Sequence, residues 1–164
     1  MNVPDPLTYL QGTWRVERLI NDHRTMSNIR FTGMAHYVAF PHRDVPGATG
    51  LRAFETGELS CGDYRGESRR SLEYFFGEDA LVHIHFSDGR PFVNFDFSTG
   101  NSLSSHHCGE DDYEIAINVR SGDVFRERWR VRGPMKDYVA VTTFTRASSS
   151  FPQSPASNSE TSTQ

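Results

Sequence analysis

Cysteine is scarce in this sequence: Cys61 and Cys108 are the only two among 164 residues. Two thiols cannot make the disulfide framework of a small secreted domain, and a reducing compartment would leave both free. Long apolar runs are missing too. None approaches the roughly 20 residues that a membrane-spanning helix needs. Met1–Leu10 is polar and holds two prolines, unlike a secretory signal. No membrane partner is expected, and a cytoplasmic setting is. An excess of positive charge is also lacking. Seventeen Lys and Arg stand against 21 Asp and Glu, for a net charge of −4 and a pI near 5.9. Nothing there draws the whole molecule to nucleic acid.

Several catalytic signatures are absent as well. No Gly-x-Ser-x-Gly elbow occurs, so a serine nucleophile has no support. There is no phosphate-cradling glycine loop and no dinucleotide fingerprint.

Aromatic residues, in contrast, are plentiful: 12 Phe, 6 Tyr and 2 Trp. That suits a β protein with ring-lined interior surfaces. One short helix fits Pro6–Gln11. Nine strands follow, at Trp14–Ile20, Phe31–Phe40, Leu51–Glu58, Arg69–Phe76, Leu81–Phe86, Phe92–Phe97, Tyr113–Val119, Val124–Arg132 and Tyr138–Arg146. Turn chemistry separates many of them, as at Ser87-Asp88-Gly89-Arg90, Ser121-Gly122-Asp123 and Gly133-Pro134. Strands close in sequence and joined by short turns predict an up-and-down antiparallel meander. With so little helix to cover its edges, the sheet is expected to close into a single barrel of about nine to ten strands. The barrel domain is placed at residues 1–146. From Ala147 the chain is mostly Ser, Thr, Asn, Gln and Pro with one charge, which predicts a disordered tail over 147–164.

Alternation is clear within strands. Val82, Ile84 and Phe86 oppose Leu81, His83 and His85. Phe125, Glu127, Trp129 and Val131 oppose Arg126, Arg128, Arg130 and Arg132. A solvated outer face explains the four arginines, and an anion-binding inner face is the competing reading. A ligand-holding interior mixes apolar walls with a few polar groups, so His83 and His85 are expected to face inward.

The densest chemistry lies in Ser105-His106-His107-Cys108-Gly109-Glu110-Asp111-Asp112-Tyr113. Imidazoles and perturbed thiols titrate near neutral pH. A polar loop with partly packed rings is the plain reading. The functional one is a site at the barrel mouth, where His106 or His107 transfers a proton and Asp112 fixes its tautomer. The His83-x-His85 spacing also suits metal ligands, with Asp88 or His107 to complete a set. Only two positions are fixed by that spacing, so no metal is assigned. Phe95, Glu55, Tyr113, Arg90 and Trp129 are the candidate ligand-binding residues.

A resemblance adds to this. Gly12-x-Trp14 opens the first strand, Asp137-Tyr138 comes late, and the last strand closes on Arg146. These resemble the calycin superfamily of lipocalins, fatty-acid-binding proteins and nitrobindin-like barrels. The resemblance implies that Trp14 packs across one barrel end against Arg146. A longer series is similar to the DUF6314 family over about residues 7–146. It runs through Leu10-x-Gly12-Thr13-Trp14, Phe31-x-Gly33, Glu55-x-Gly57, Phe86-x-Asp88-Gly89-Arg90-x-Phe92, His106-His107-Cys108, Asp111-Asp112-Tyr113 and Gly133-Pro134-x-Lys136-Asp137-Tyr138. One departure is that Val93 and Asn94 follow Phe92, where family members often carry a His or an aromatic residue. The family label implies a barrel and leaves the chemistry open.

The leading functional expectation is a cofactor-independent enzyme acting on a small apolar metabolite held in the barrel. Isomerisation, cyclisation or dehydration would run on imidazole acid–base chemistry, in a setting such as secondary metabolism. His106 or His107 would move the proton, His83 or His85 would stabilise developing charge, and Asp112 would orient a ring. The resemblance supplies two competing expectations: a non-catalytic carrier of a hydrophobic ligand, and a haem-binding barrel with a histidine ligand.

Overall fold

The computed structural model describes residues 1–42 and 45–148. The expected tail falls largely on 149–164, outside the described residues. Helix α1 (Pro6–Leu10) starts where the Asp5 carboxylate accepts a hydrogen bond from the Thr8 N–H at 3.1 Å, with Pro6 at the first helical position. Ten strands follow: β1 (Gly12–Asp22), β2 (Ser27–Pro41), β3 (Thr49–Cys61), β4 (Tyr64–Phe76), β5 (Leu81–Phe86), β6 (Pro91–Asp96), β7 (Asn101–Cys108), β8 (Asp111–Ser121), β9 (Val124–Arg132) and β10 (Asp137–Arg146).

All ten form one antiparallel sheet in the order β6-β5-β4-β3-β2-β1-β10-β9-β8-β7. Every ladder joins neighbours in sequence except β1–β10, which pairs the first strand with the last and sets Trp14 opposite Arg146. The sheet curls until β6 and β7 meet. No ladder spans that seam. Instead, the Asp96 N–H donates to the Ser102 hydroxyl at 3.0 Å and the Asn94 N–H to the Ser104 hydroxyl at 3.4 Å. The barrel is therefore nearly closed, with side chains stitching the last gap.

One end of the barrel is solid. Trp14, Val16, Phe95, Phe97, Val119, Phe125 and Phe144 are fully buried there, and Phe125 stacks on Phe144 at 4.3 Å between centroids. Each such side chain contributes about 1.5–3 kcal/mol of burial. Helix α1 covers this end. The Trp14 indole N–H donates to the Leu10 carbonyl at 2.8 Å, and the Arg146 guanidinium lies 4.2 Å from the Trp14 ring. The pair implied by the calycin resemblance is thus in contact.

At the other end, the mouth, Phe31 lies across the β2–β3 ladder over Gly33 and Gly57, which sit opposite each other. A Cβ on Gly33 would come within 2.2 Å of the Thr56 carbonyl oxygen, so the close approach requires glycine at this position.

Two expectations change. The tenth strand, β7, covers the histidine cluster that reads in sequence as a loop. Its Ser102, Ser104 and His106 turn inward while Leu103, Ser105 and His107 turn out, so its polarity is inverted and its alternation carries no hydrophobic signal. Second, His83 and His85 face outward, because Val82, Ile84 and Phe86 take the inner face of β5 and bury more apolar area there. Arg126, Arg128, Arg130 and Arg132 also face out.

Candidate functional site

Inward-facing side chains divide the barrel into three levels. Above the aromatic plug at the closed end lies a belt of charge. Arg18 projects from β1 on the same face as Trp14 and Val16, and Glu55 projects from β3. Their side chains form a bidentate pair, Nη1–H to Oε1 at 2.7 Å and Nη2–H to Oε2 at 2.8 Å. The Arg18 Nε–H donates to the Thr142 hydroxyl at 2.7 Å. Arg70, on β4 directly opposite Glu55, adds Nη2–H to Glu55 Oε2 at 3.0 Å, and its guanidinium lies 5.1 Å from the Trp129 ring.

Burial alone would push the Glu55 carboxyl up, but the hydrogen bonds and charges of Arg18 and Arg70 outweigh it and hold it below the ordinary value. Glu127, on β9 opposite Thr142, behaves in the opposite way. It is buried, accepts one hydrogen bond from the Trp129 indole N–H at 3.1 Å, and burial pushes its carboxyl up despite the two arginines. Tyr37 and Tyr74 lie edge to face at 5.2 Å beneath, and burial keeps both as neutral phenols.

Toward the mouth, the inner side chains become partly accessible. Ile20, Ile29, Leu59, Phe86, Tyr113, Trp129 and Tyr138 are only half-buried although all face inward. Arg70 also stays 30% accessible despite lying inside the ring of strands. The mouth half of the barrel is therefore an open vestibule with the arginine belt as its floor.

His106 stands on its wall. The imidazole contacts Phe92 at 5.2 Å, Tyr113 at 6.1 Å and Phe86 at 6.3 Å, and among the described residues neither ring nitrogen has a hydrogen-bond partner. A β-bulge between Ile84 and His85 turns Phe92 into this cluster, where it also meets Trp129 at 5.4 Å. The rim is braced by Lys136, whose ammonium donates to Asp111 at 2.7 Å and to the Tyr113 hydroxyl at 2.8 Å; these bonds push its pKa upward.

The other sequence candidates are scattered. His107 and Asp112 form a pair at 2.5 Å, but on the outer face, where both are exposed. They border a groove of about 520 Å³ that runs over the rim to His106 and Tyr113 and also includes Glu114, Arg128, Arg130 and Arg132. Arg130 is engaged by Asp137 at 2.6 Å. On the outer wall, His83 Nδ1 meets the Asn94 side-chain oxygen at 3.0 Å and His85 packs on Phe75 at 4.9 Å. Arg90 sits on the β5–β6 turn, bonded to Asp88 and 5.4 Å from the Phe86 ring. Phe95 lies in the solid end rather than on an open wall. Glu55, Tyr113 and Trp129 do line the interior, and of the four histidines only His106 joins them. No group of three or more His, Cys, Asp or Glu among the described residues is arranged to hold a metal ion.

Arg18 and Arg70 are the interior residues that sequence reasoning missed. Arg18 was detectable, since it shares the period-two face of Trp14, Val16 and Ile20. Its partner Glu55 lies 37 residues away, and only strand register brings the two together.

The fold and site define a nearly closed, ten-stranded antiparallel barrel with a charged floor and an aromatic mouth. Residues 10–146 match the Family of unknown function (DUF6314), and the chain belongs to that family. No curated protein matches the sequence. Among solved structures, the S-type phycobiliprotein lyase CPES from Guillardia theta is similar in fold. It has a TM-score of 0.66 and 11% identity over 91% of this chain and 94% of that one. Two redesigned β-barrels bound to DFHBI also match. mFAP1 does so with a TM-score of 0.43 and 16% identity over 85% of this chain and 97% of its own. For mFAP0 the values are 0.46 and 15%, over 84% and 99%. No helix among the described residues is long and apolar enough to cross a membrane.

Proposed function

We propose that this barrel is a small-molecule enzyme that holds a compact organic substrate in its mouth half and moves a proton with His106. The observation that carries this reading is the state of the His106 ring: among the described residues neither nitrogen has a protein partner, and aromatic rings surround it. An imidazole committed to structure normally spends at least one nitrogen on a hydrogen bond. Left unpaired, one nitrogen can accept a substrate proton and the ring can return it at a second position. Isomerisation, cyclisation and dehydration all balance under such a transfer with no external oxidant or reductant, dehydration releasing one water. Phe92, Tyr113 and Trp129 orient the substrate and exclude bulk water. The exposed His107–Asp112 pair borders the same rim groove as His106, but its Nδ1 is already engaged by the carboxylate.

Native mass spectrometry of the protein purified from its own cells would recover a retained substrate or product, which is then incubated with wild type and with His106→Gln. Conversion by wild type and loss of about 10²–10⁴-fold in the variant is the expected result. Retained binding without conversion by either protein would make the barrel a carrier, and equal turnover by both would remove His106 from the chemistry.

A further inference from the structure

We propose that the substrate carries a single carboxylate, and that the open side of Arg70, against the indole of Trp129, is its anchor. The inference rests on the vestibule reading above and names the substrate class of that site.

Arg18 and Arg70 differ in how much of their hydrogen-bonding capacity is used. Arg18 uses three N–H donors, two on Glu55 and one on Thr142. Among the described residues, Arg70 makes one side-chain hydrogen bond, through Nη2 to Glu55. Its remaining nitrogens are not sealed in as unsatisfied buried donors, and the side chain is 30% accessible from the vestibule. A guanidinium with a free edge, fixed on one side by Glu55 and lying over an indole at 5.1 Å, is placed to take a planar carboxylate.

Charge sets the number of carboxylates. Two arginines face Glu55, which the hydrogen bonds keep ionised, and Glu127, which burial drives toward its neutral form. A bound carboxylate would be the third acid against two guanidiniums, and burial eases this by disfavouring the charge on Glu127, whereas a phosphate dianion would add two charges. Size follows from the contacts. From Arg70 the surface passes over Trp129 and Tyr113 to His106, by contacts of 5.1, 6.4 and 6.1 Å. A flat body of two or three fused or linked rings spans that distance and places its far end at the imidazole.

Binding should then be coupled to a proton. Glu127 is faced by Arg18 from β1, Tyr37 from β2, Glu55 from β3, Arg70 and Tyr74 from β4, Trp129 from its own strand, and Thr142 from β10. Of these, the arginines favour its ionised form, and a bound carboxylate neutralises their effect. A bound anion therefore pushes the Glu127 carboxyl further up, so binding favours proton uptake there and weakens as pH rises through its titration.

Calorimetry tests this with 2-naphthoate, biphenyl-4-carboxylate and anthracene-2-carboxylate, each against its own primary amide. The acids should bind wild type about ten- to hundredfold more tightly than the amides. Arg70→Gln should bring that ratio close to one while keeping amide binding, which also shows that the variant is folded. Arg70→Lys should restore part of the preference, and Glu127→Gln should abolish the proton uptake seen when titrations in two buffers of different ionisation heat are compared. Amides and acids binding alike would overturn the carboxylate anchor and leave the vestibule intact. A preference that survives Arg70→Gln would overturn the role of Arg70. Binding of neither series would overturn both this inference and the pocket on which it rests.

Discussion

Replacing Glu55 by glutamine tests whether the charged belt holds the barrel together. The Glu55 carboxylate accepts three charge-assisted hydrogen bonds, at 2.7, 2.8 and 3.0 Å, from two inward arginines. Glutamine keeps the volume and one acceptor oxygen, but loses the charge and turns an N–H₂ group toward a guanidinium. Removing one partner from a buried ion pair costs about 3–5 kcal/mol, because the remaining charge is stranded. Water in the vestibule can rehydrate Arg70 but not Arg18, which is 12% accessible, so the lower end, about 3 kcal/mol, is expected. At a urea slope of about 2 kcal/mol/M the midpoint falls by roughly 1.5 M, and the melting temperature falls by about 10 °C. Glu67→Gln is the control: its partner Arg69 is 3.4 Å away, and both are exposed, so stability should not change.

The pH dependence has a definite sign. The pKa of Glu55 is lowered by folding, so its contribution is full above the unfolded-state value and is lost as pH falls through the folded one. Glu127 is raised, so its contribution is full below the unfolded-state value and is lost as pH rises through the folded one. Wild type should therefore lose stability in acid more steeply than Glu55→Gln. A cost below about 1 kcal/mol, or parallel acid profiles, would refute the belt as a stabilising element.

Two further substitutions probe the ends of the barrel. Phe95→Ala empties a fully buried site in the solid end and should cost about 3–5 kcal/mol in urea unfolding, without changing vestibule ligand affinity once the protein is folded. Gly33→Ala places a methyl group within 2.2 Å of the Thr56 carbonyl and 2.9 Å of the Phe31 ring, so thermal denaturation should show a loss of about 1–3 kcal/mol.

Nine strands were legible because each carries an alternating or continuous apolar set bounded by turn residues. β7 was not, since it puts serines inward to serve as hydrogen-bond acceptors at the seam and leaves Leu103 65% exposed. His83 and His85 were read against the simpler rule, that the face with Val82, Ile84 and Phe86 goes inside, and the simpler rule holds. The histidine cluster was visible as composition, but the separation of His106 from His107 depends on one residue of register. The belt was partly readable in Glu55. Arg18 showed only as a member of the inward face of β1, and Arg70 stayed hidden, because an isolated Arg in a strand carries no local signal of the acid it will face.

The order of the strands gives the chain an unusual geometry of ends. Its first and last strands are paired in the middle of the ribbon, and the open seam falls mid-chain, between β6 and β7. All the other ladders close over short hairpins; β1–β10 alone must wait for almost the whole domain to be made. Linking the end of β10 to the segment ahead of α1, and cutting the short connection after Phe97, would turn that one distant pairing into a local one. The circularly permuted chain would keep every ladder, have lower contact order and fold faster. Its new ends would emerge between the one pair of consecutive described strands that no backbone ladder joins.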